Sequence, residues 1–346
     1  MNIIEPSESP AAPLLRYLLT PLADWLEDPS TEDLCINRPG EAWVRQRGRF
    51  TRHEIPLGLD ELEDIAILSA ALRRQDIGTS TPLCATELPD GQRLQICLAP
   101  SVPHGTISLS IRRPGSEVMP LGDVTRRYDT RDWNKWKRRR EARDNSELLA
   151  LYDAGDIDAF LAAAVHARLT ILLAGATGAG KTFLSKSLIT EIDPSERIIT
   201  IEDTLELIIP QPNHVRLLYS KDGLSGARVT VEDLLQASLR QRPDRVLVQE
   251  LRDEAALTYM NSVVTGHPGS ITTIHGGDAA AAFKRLVLLT KASDDRAMIG
   301  MLSEAVDLII PLENKGEVYS IKSVWFVADA ARRGETAADL LREGAP

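Results

Sequence analysis

GATGAGKT, residues 175–182, matches the phosphate-binding loop pattern G-x-x-x-x-G-K-[ST] at every fixed position. In such a loop the glycines let backbone N–H groups approach phosphate oxygens, and the following helix directs the positive end of its dipole at the same anion. We expect the Lys181 ammonium to reach the β- and γ-phosphates and the Thr182 hydroxyl to ligate Mg²⁺. The residues predicted to contact the nucleotide are Gly175, Ala176, Thr177, Gly178, Ala179, Gly180, Lys181, Thr182 and Phe183.

The sequence on both sides of this loop supplies the strand and the helix that the pattern requires. Leu169 to Ala174 is a short apolar run typical of a buried parallel strand, and Phe183 to Glu191 has helical spacing without Gly or Pro. Similar apolar runs alternate with helical segments further along the chain, near residues 197–201, 246–249 and 270–274. This alternation predicts an α/β fold with a parallel sheet from about residue 150 onward.

The chain before the loop predicts a smaller α+β domain. Its expected strands and its amphipathic helix lie at Leu34–Asn37, Ala42–Arg45, Leu94–Leu98 and Ile107–Ile111, and at Gly58–Gln75. We therefore expect an amino-terminal α+β domain at residues 1–125, a basic linker at 126–149 and a P-loop domain at 150–346. Within the last, Thr230 and Asp233 form the amino-terminal signature of a helix over residues 230–240, and residues 328–346 predict a polar helix.

Composition restricts the possible functions. The 346 residues are 43% hydrophobic, and the net charge of −10 argues against stable nucleic-acid binding, because a phosphate backbone would be repelled. The cysteines are odd in number and form no C-x-x-C pair, which favours reduced, packed thiols over disulfides or zinc: Cys35, Cys84 and Cys97. The amino terminus carries Glu5 and Glu8 instead of the positive charge of an export signal, and no window is apolar enough to predict a transmembrane helix.

Residues 126–143 form a basic segment, with nine Arg or Lys residues against three acids and with Trp133 and Trp136 embedded. We predict a linker helix here. A charge run of this kind is often only a solvated face. The alternative is attraction to anionic lipid headgroups with the tryptophans at the membrane interface, and the sequence leaves both interpretations open.

Acidic residues follow two of the predicted strands. Glu202 and Asp203 end the strand near residue 201, with Glu206 close behind, and Glu250 follows Gln249 after the strand near residue 248. Ligands of open α/β sheets bind at the carboxyl ends of the strands, so these carboxylates are candidates to hold a metal or a water. Each could instead be a strand-end residue in a surface salt bridge.

TGHPGSITTIH, residues 265–275, places His267 and His275 on either side of another predicted strand. A neutral imidazole can donate a hydrogen bond to phosphate or orient a water while it accepts another bond. A structural histidine satisfied within the core is the alternative for each.

Together these segments resemble a known family. The order GATGAGKT, IITIEDTLEL, SLRQRPDRVLVQELRDEAA and TGHPGSITTIH is similar to the Walker A, aspartate, Walker B and histidine boxes of hexameric secretion ATPases. Four further stretches resemble the traffic ATPase of type IV secretion systems: INRPGEAWV at 36–44, LPDGQR at 88–93, SIRRP at 110–114 and PQPNHVRLLYS at 210–220. The likeness covers roughly residues 30–325 and implies a RecA-like P-loop domain preceded by the smaller α+β domain.

The resemblance implies a role for each matching residue. Lys181 and Thr182 would bind phosphate and Mg²⁺, and Glu206 would position or deprotonate the attacking water. Glu250 would support the metal, directly or through water, and His275 would sense the γ-phosphate. During phosphoryl transfer a guanidinium neutralises charge on the transferred group, and a carboxylate can accept the proton of the attacking water.

In the family the amino-terminal domain supplies arginines to the phosphates, and Arg93 and Arg113 fall in the matching motifs, with Arg112 adjacent. Arg240 and Arg242 are further candidates. One position departs from the family pattern: Gln249 stands where a small residue often precedes the Walker B glutamate.

The resemblance also implies an ATP- and Mg²⁺-dependent hydrolase that forms a homo-hexameric ring. Its expected partners are the other ATPases and the inner-membrane components of a type IV secretion machine. The expected location is the cytoplasm, peripheral at the inner face of the cytoplasmic membrane. Two alternatives stay open at this point: a RecA-like DNA helicase or translocase, and a non-hydrolysing nucleotide-dependent scaffold of a secretion complex.

Overall fold

The computed structural model of the protein describes residues 10–114, 120–126, 128–129, 144–220, 227–291 and 295–342. The α-helices of these residues are α1 (Ala12–Leu18), α2 (Ala23–Glu27), α3 (Leu59–Leu72), α4 (Leu121–Thr125), α5 (Ser146–Ala154), α6 (Ile157–His166), α7 (Lys181–Thr190), α8 (Val231–Leu239), α9 (Ala255–Thr265), α10 (Ala279–Leu289), α11 (Arg296–Ala305) and α12 (Val327–Arg332). The strands are β1 (Thr31–Arg38), β2 (Glu41–Gln46), β3 (Arg49–Glu54), β4 (Leu83–Glu87), β5 (Arg93–Cys97), β6 (Ser108–Arg112), β7 (Ile171–Ala174), β8 (Ile198–Glu202), β9 (His214–Leu218), β10 (Arg245–Val248), β11 (Ile271–Ile274), β12 (Leu308–Lys315), β13 (Val318–Ile321) and β14 (Trp325–Phe326).

The amino-terminal part is an antiparallel sheet of six strands in the order β3-β2-β1-β6-β5-β4. Helix α3 buries Leu62, Ile65 and Ala66 in the core of this part, as its helical apolar spacing predicts. The predicted helix and the four predicted strands are confirmed. The outer strand β3 was not predicted, because its sequence RFTRHE is largely exposed and lacks an apolar face.

The rest of the chain is built on a central parallel sheet. Its strands pair in the order β9-β8-β10 and in the order β11-β7-β12, with β13 and β14 pairing antiparallel to β12. Every residue of β7, β8, β10 and β11 is buried, as expected for strands covered on both faces by helices. The predicted α/β fold with a P-loop domain and a smaller α+β part is confirmed. The residue bounds of the three predicted segments stay predictions.

Side-chain hydroxyls join β10 to β11 in the middle of this sheet. They donate to main-chain carbonyls of β10 and the residue after it: Ser270 Oγ to Val246 O (3.3 Å), Thr272 Oγ1 to Val248 O (2.6 Å) and Thr273 Oγ1 to Gln249 O (2.9 Å). Just beyond the strand, the Leu251 N–H donates to the Thr273 carbonyl at 2.9 Å. These bonds fix the register of the two strands, so the residues that follow them lie side by side.

The amino-terminal sheet packs against the amino ends of β8 and β10. Arg197, fully buried just before β8, donates from Nη1 to Asn37 Oδ1 (2.8 Å) and to Asn213 Oδ1, and from Nε to the Gln241 carbonyl (2.9 Å). Ser108 Oγ donates to Gln241 Oε1 at 2.8 Å across the same contact. The oxygens that the Arg197 guanidinium meets belong to neutral groups, three amides and the Ser110 hydroxyl at 3.5 Å, so a buried cation is solvated by both parts of the chain.

The structure bears differently on the two remaining predicted helices. The predicted linker helix at 126–143 falls almost entirely outside the described residues. The helix predicted over 328–346 was partly wrong: α12 ends at Arg332, Gly334 has a positive φ of 73° and a short 3₁₀ helix follows at Ala337–Leu341. A glycine in the left-handed region is a common helix terminator. None of the described helices has both the length and the apolarity to cross a bilayer.

Candidate nucleotide-binding site

The loop GATGAGKT connects β7 to the amino end of α7, as predicted. Gly178 and Gly180 have φ values of 80° and 89°, which only glycine adopts readily. A Cβ at Gly175 would lie 2.8 Å from the Leu312 carbonyl oxygen, and one at Gly180 would lie 2.9 Å from the Tyr319 ring. The loop therefore needs glycine both for its own turn and because the β12–β13 hairpin covers it.

The Lys181 ammonium is held inside the loop. Its Nζ donates to the carbonyls of Gly175 (2.8 Å) and Ala176 (2.9 Å), and the side chain is largely buried. Burial lowers the pKa of Lys181, and the nearby Glu250 carboxylate opposes that shift. A phosphate entering the loop can replace these carbonyls as the partner of the ammonium.

Glu250 lies at the carboxyl end of β10 and faces three basic groups. Its Oε2 pairs with Arg252 Nη2, and its Oε1 lies 2.9 Å from His275 Nε2. Burial disfavours the ionised form of Glu250. The hydrogen bond and charge of Arg252, aided by His275 and Lys181, outweigh burial and hold the pKa of Glu250 below its ordinary value. The carboxylate is therefore ionised at neutral pH.

One oxygen of the Glu250 carboxylate can still accept a hydrogen bond. Oε1 is buried, and within the described part of the chain no group meets the geometry of a hydrogen bond to it, despite the short approach of His275. A buried carboxylate oxygen without such a bond is costly unless a ligand, a water or an ion completes it. It therefore marks a place for one of these.

Arg252 links the two acidic segments that the sequence predicted separately. Its Nη1 donates to Asp203 Oδ2 at 2.9 Å, while its Nη2 pairs with Glu250. The hydrogen bond to Glu250 raises the pKa of Arg252 further above its ordinary value. No motif in the sequence predicts a role for Arg252, although its place two residues after Glu250 could have suggested one.

Glu202 has a structural role distinct from that of Glu206. Its buried carboxylate accepts two bonds from Arg216 (2.9 and 2.7 Å) and one from Thr200 Oγ1 (2.7 Å). It also accepts the backbone N–H groups of Glu206 (3.1 Å) and Leu207 (3.0 Å). With five bonds donated to it the carboxylate is saturated, so Glu202 anchors the segment that carries Glu206.

Gln249 connects that segment to β10. Its Nε2 donates to Glu206 Oε2 at 3.0 Å, and its Oε1 accepts the Asp203 N–H at 3.2 Å. This is the residue that departs from the family pattern. Its side chain faces the other acidic segment and borders the cavity around the loop.

The carboxyl ends of four parallel strands enclose this cavity, which has a volume of about 460 Å³. It brings together loop residues 177–183 and the predicted Glu206, Glu250 and His275. Two large aromatic side chains border it while staying exposed: Phe183 (76%) and Tyr319 (62%). Tyr319 is not among the residues predicted from the sequence, because a short exposed hairpin strand has no distinctive apolar pattern. We call this space the loop cavity.

His267 does not belong to the loop cavity. It precedes the amino end of β11, whereas His275 follows the carboxyl end, so the strand separates the two histidines. Burial lowers the pKa of His267, and its backbone N–H donates to the Ser262 carbonyl at 3.0 Å. These contacts fit the alternative of a packed, structural histidine.

The amino-terminal arginines also lie elsewhere in this chain. Arg93 and Arg112 are register partners on β5 and β6. They border a second cavity of about 600 Å³, here called the basic cavity, together with Arg73 and Arg240. Arg113 instead donates from Nη1 to the Glu27 carbonyl at 2.9 Å. Neither Arg93 nor Arg113 borders the loop cavity of its own chain.

The fold and the loop cavity define a P-loop nucleotide-binding protein of the RecA-like class. The family model described as "Type II/IV secretion system protein" matches residues 139–314. Protein VirB11 of Agrobacterium fabrum is 57% identical over 339 residues, covering 96% of this chain and 98% of that protein. The type IV secretion system protein VirB11 of Brucella suis biovar 1 is 34% identical over 346 residues, covering 96% of each.

A solved structure agrees. The chain matches the crystal structure of the VirB11 ATPase from the Brucella suis type IV secretion system, in complex with sulphate, with a TM-score of 0.83 and 34% identity over 93% of this chain and 97% of that one. The chain belongs to the VirB11 family of type IV secretion ATPases. The resemblance inferred from the motifs is confirmed, and it excludes the DNA helicase alternative.

Proposed function

We propose that the chain hydrolyses ATP as one subunit of a six-membered ring that energises substrate transfer or pilus assembly in a type IV secretion system. The observation that supports this most directly is the loop cavity. At one edge of the sheet it gathers a phosphate-binding loop, a buried lysine, an ionised glutamate with an unsatisfied oxygen and an exposed glutamate. A nucleotide scaffold without turnover would need the loop but not these acidic groups.

Each residue of the loop cavity has its own role in hydrolysis. Backbone N–H groups of the loop and the Lys181 ammonium bind the β- and γ-phosphates. Glu206 accepts a proton from the attacking water as the water oxygen bonds to the γ-phosphorus. The bond from that phosphorus to the β-phosphate oxygen then breaks, and ADP and phosphate result. His275, beside Glu250, donates to the γ-phosphate and so reports its presence.

Magnesium fits the same cavity. The Thr182 hydroxyl and the unsatisfied Glu250 Oε1 are hard oxygen donors of the kind that this ion prefers, directly or through water. No cluster of three or more His, Cys, Asp or Glu side chains suited to a metal occurs in the described ranges, so most ligands would come from phosphate and water. When bound, Mg²⁺ would neutralise charge on the phosphates.

We propose that the arginines reach the nucleotide of a neighbouring subunit. The amino-terminal sheet packs at the amino ends of β8 and β10, whereas the loop cavity opens at the carboxyl ends. A strand of four residues spans about 13 Å, so the two edges lie well apart. A ring would place the basic cavity of one chain, with Arg93 and Arg112, against the loop cavity of the next. The motif match keeps Arg113 a candidate for the same role.

Mixing two inactive variants tests this arrangement. Lys181→Ala and Arg93→Ala should each abolish most turnover when alone. Rings co-assembled from equal amounts of both should recover activity, because about a quarter of the interfaces then join an intact loop to an intact arginine from its neighbour. Arginines acting within their own chain would give no recovery. Normal hydrolysis by Lys181→Ala alone would contradict the ATPase assignment itself.

The family also suggests the location and the partners of the motor. We propose that it works in the cytoplasm at the inner face of the cytoplasmic membrane, together with other ATPases and inner-membrane components of the secretion machine. The basic segment at 126–143 could supply contact with anionic lipid. Flotation of the purified protein with vesicles containing phosphatidylglycerol tests that contact, and a charge-neutralised 137–140 variant should lose it.

A further inference from the structure

We infer that Gln249 is a positioning residue for hydrolysis, which holds the Glu206 carboxylate in place from the neighbouring strand. This inference rests on the proposed role of Glu206 as the acceptor of the water proton. Nothing in the family pattern assigns such a role to this position, where a small residue is usual. The claim concerns the side chain of Gln249, whose two polar atoms both engage the Glu206 segment.

The backbone of Gln249 is fixed on both sides. Its N–H donates to the Ile201 carbonyl of β8 at 3.0 Å, and its carbonyl accepts from Thr273 Oγ1 of β11 at 2.9 Å. The side chain therefore extends from a rigid point in the middle of the sheet. A group held in this way can orient a partner that is itself less constrained.

Glu206 is such a partner. It lies beyond the end of β8 in a segment without regular structure, and its side chain is exposed. Glu202 fixes its backbone N–H, but that bond leaves the rotamers of the side chain open. The bond from Gln249 Nε2 to Glu206 Oε2 restricts those rotamers and leaves Oε1 to accept the proton of a water.

The second bond of Gln249 makes the orientation specific. The Oε1 atom accepts the Asp203 N–H, so the amide cannot rotate by 180° without exchanging an acceptor for a donor there. The amide is thus held with its NH₂ group toward Glu206. Other charged groups around the cavity engage different partners: Asp203 with Arg252, Glu250 with Arg252 and His275, Glu202 with Arg216, and Lys181 with the loop carbonyls.

Two substitutions separate the contributions of the two bonds. Gln249→Met keeps the length of the side chain but removes both hydrogen bonds. Gln249→Glu keeps an acceptor for the Asp203 N–H but turns the donor toward Glu206 into a second carboxylate. We expect Gln249→Met to lower kcat for ATP about tenfold with KM within about twofold of the parent, and Gln249→Glu to lower kcat further.

The decisive measurement is a double-mutant cycle with Glu206→Gln. A residue that acts through Glu206 has little left to do once the carboxylate is gone, so Gln249→Met should change the residual kcat of Glu206→Gln by less than about twofold. Equal losses in both backgrounds would overturn the inference, as would an unchanged kcat in Gln249→Met alone. Binding of a fluorescent ADP analogue should be unaltered in Gln249→Met, which excludes a collapsed cavity.

The same cycle distinguishes failure of the inference from failure of the proposed function. If Glu206→Gln retains normal turnover, Glu206 is not the base and the proposed mechanism is wrong. If Glu206→Gln is inactive while Gln249→Met is fully active, the mechanism stands and the positioning role is wrong.

Discussion

Replacing Glu202 by glutamine should destabilise the protein and slow hydrolysis although Glu202 does not line the loop cavity. The carboxylate accepts five hydrogen bonds, two of them from the Arg216 guanidinium. A glutamine offers one oxygen and an NH₂ group. If the glutamine oxygen takes the place of Oε2, its NH₂ group faces two donors, the Arg216 Nε and the Thr200 hydroxyl. If the oxygen takes the place of Oε1, the NH₂ group faces the three donors to Oε2.

The magnitude follows from these losses. Breaking a buried ion pair from one side costs about 3–5 kcal/mol. Glu202 is fully buried, but the Arg216 side chain is 21% exposed and keeps some hydration, so the lower end applies. We expect Glu202→Gln to reduce the free energy of unfolding by about 3 kcal/mol. The segment of Glu206 loses its anchor as well, so kcat should fall while nucleotide affinity changes little.

Urea unfolding followed by far-ultraviolet circular dichroism, at one fixed protein concentration, measures the effect. Asp153→Asn is the matched control, because it removes a carboxylate from an exposed pair with Arg332 and should leave the midpoint nearly unchanged. A loss below about 1 kcal/mol in Glu202→Gln would refute the reasoning, since it would mean that the donors find other partners at little cost.

Three further outcomes are expected. Because the pKa of Glu250 is lowered, its ionised pair with Arg252 contributes fully to the free energy of unfolding above the ordinary carboxyl pKa of 4.5. This contribution is lost as the pH falls through the lowered pKa. The loss of stability between about pH 6 and pH 3, measured by urea unfolding, should therefore be smaller in Glu250→Gln. Gly180→Ala should abolish binding of a fluorescent ADP analogue, because a Cβ strains a φ of 89° and meets the Tyr319 ring at 2.9 Å, and intact binding would contradict this. Thr272→Val keeps the shape but removes the 2.6 Å bond to β10, and should cost about 1 kcal/mol of unfolding free energy; no loss would mean that the bond contributes little.

The sequence was sufficient where the chemistry depends on local order. A phosphate-binding loop needs fixed residues at fixed spacing between a strand and a helix, so GATGAGKT determined both the fold class and the position of the cavity. The acids after β8 and β10 and the histidine after β11 could also be predicted, because the carboxyl ends of parallel strands meet at one edge.

The sequence was insufficient where function depends on which side chains meet. The family resemblance selects Glu206 as the candidate base, but only the burial of Glu202 beside Arg216 reveals that Glu202 is its anchor. Arg112 and Arg113 are neighbours, and the pairing of β6 with β5 decides which one lies beside Arg93. The bridge from Gln249 to Glu206 joins residues 43 positions apart, and no periodicity encodes it.

Arg197 has a consequence for how such a machine could move. Pulling the amino-terminal sheet away from the central sheet of the same chain would remove Asn37 from this buried guanidinium and break the bond from Ser108 to Gln241 across the same contact. The two parts of a subunit are therefore expected to travel together as a single lever. The ring would then bend at the junctions between subunits, where one chain's arginines would meet the next chain's phosphates. Each hydrolysis event would change the angle between two neighbouring subunits.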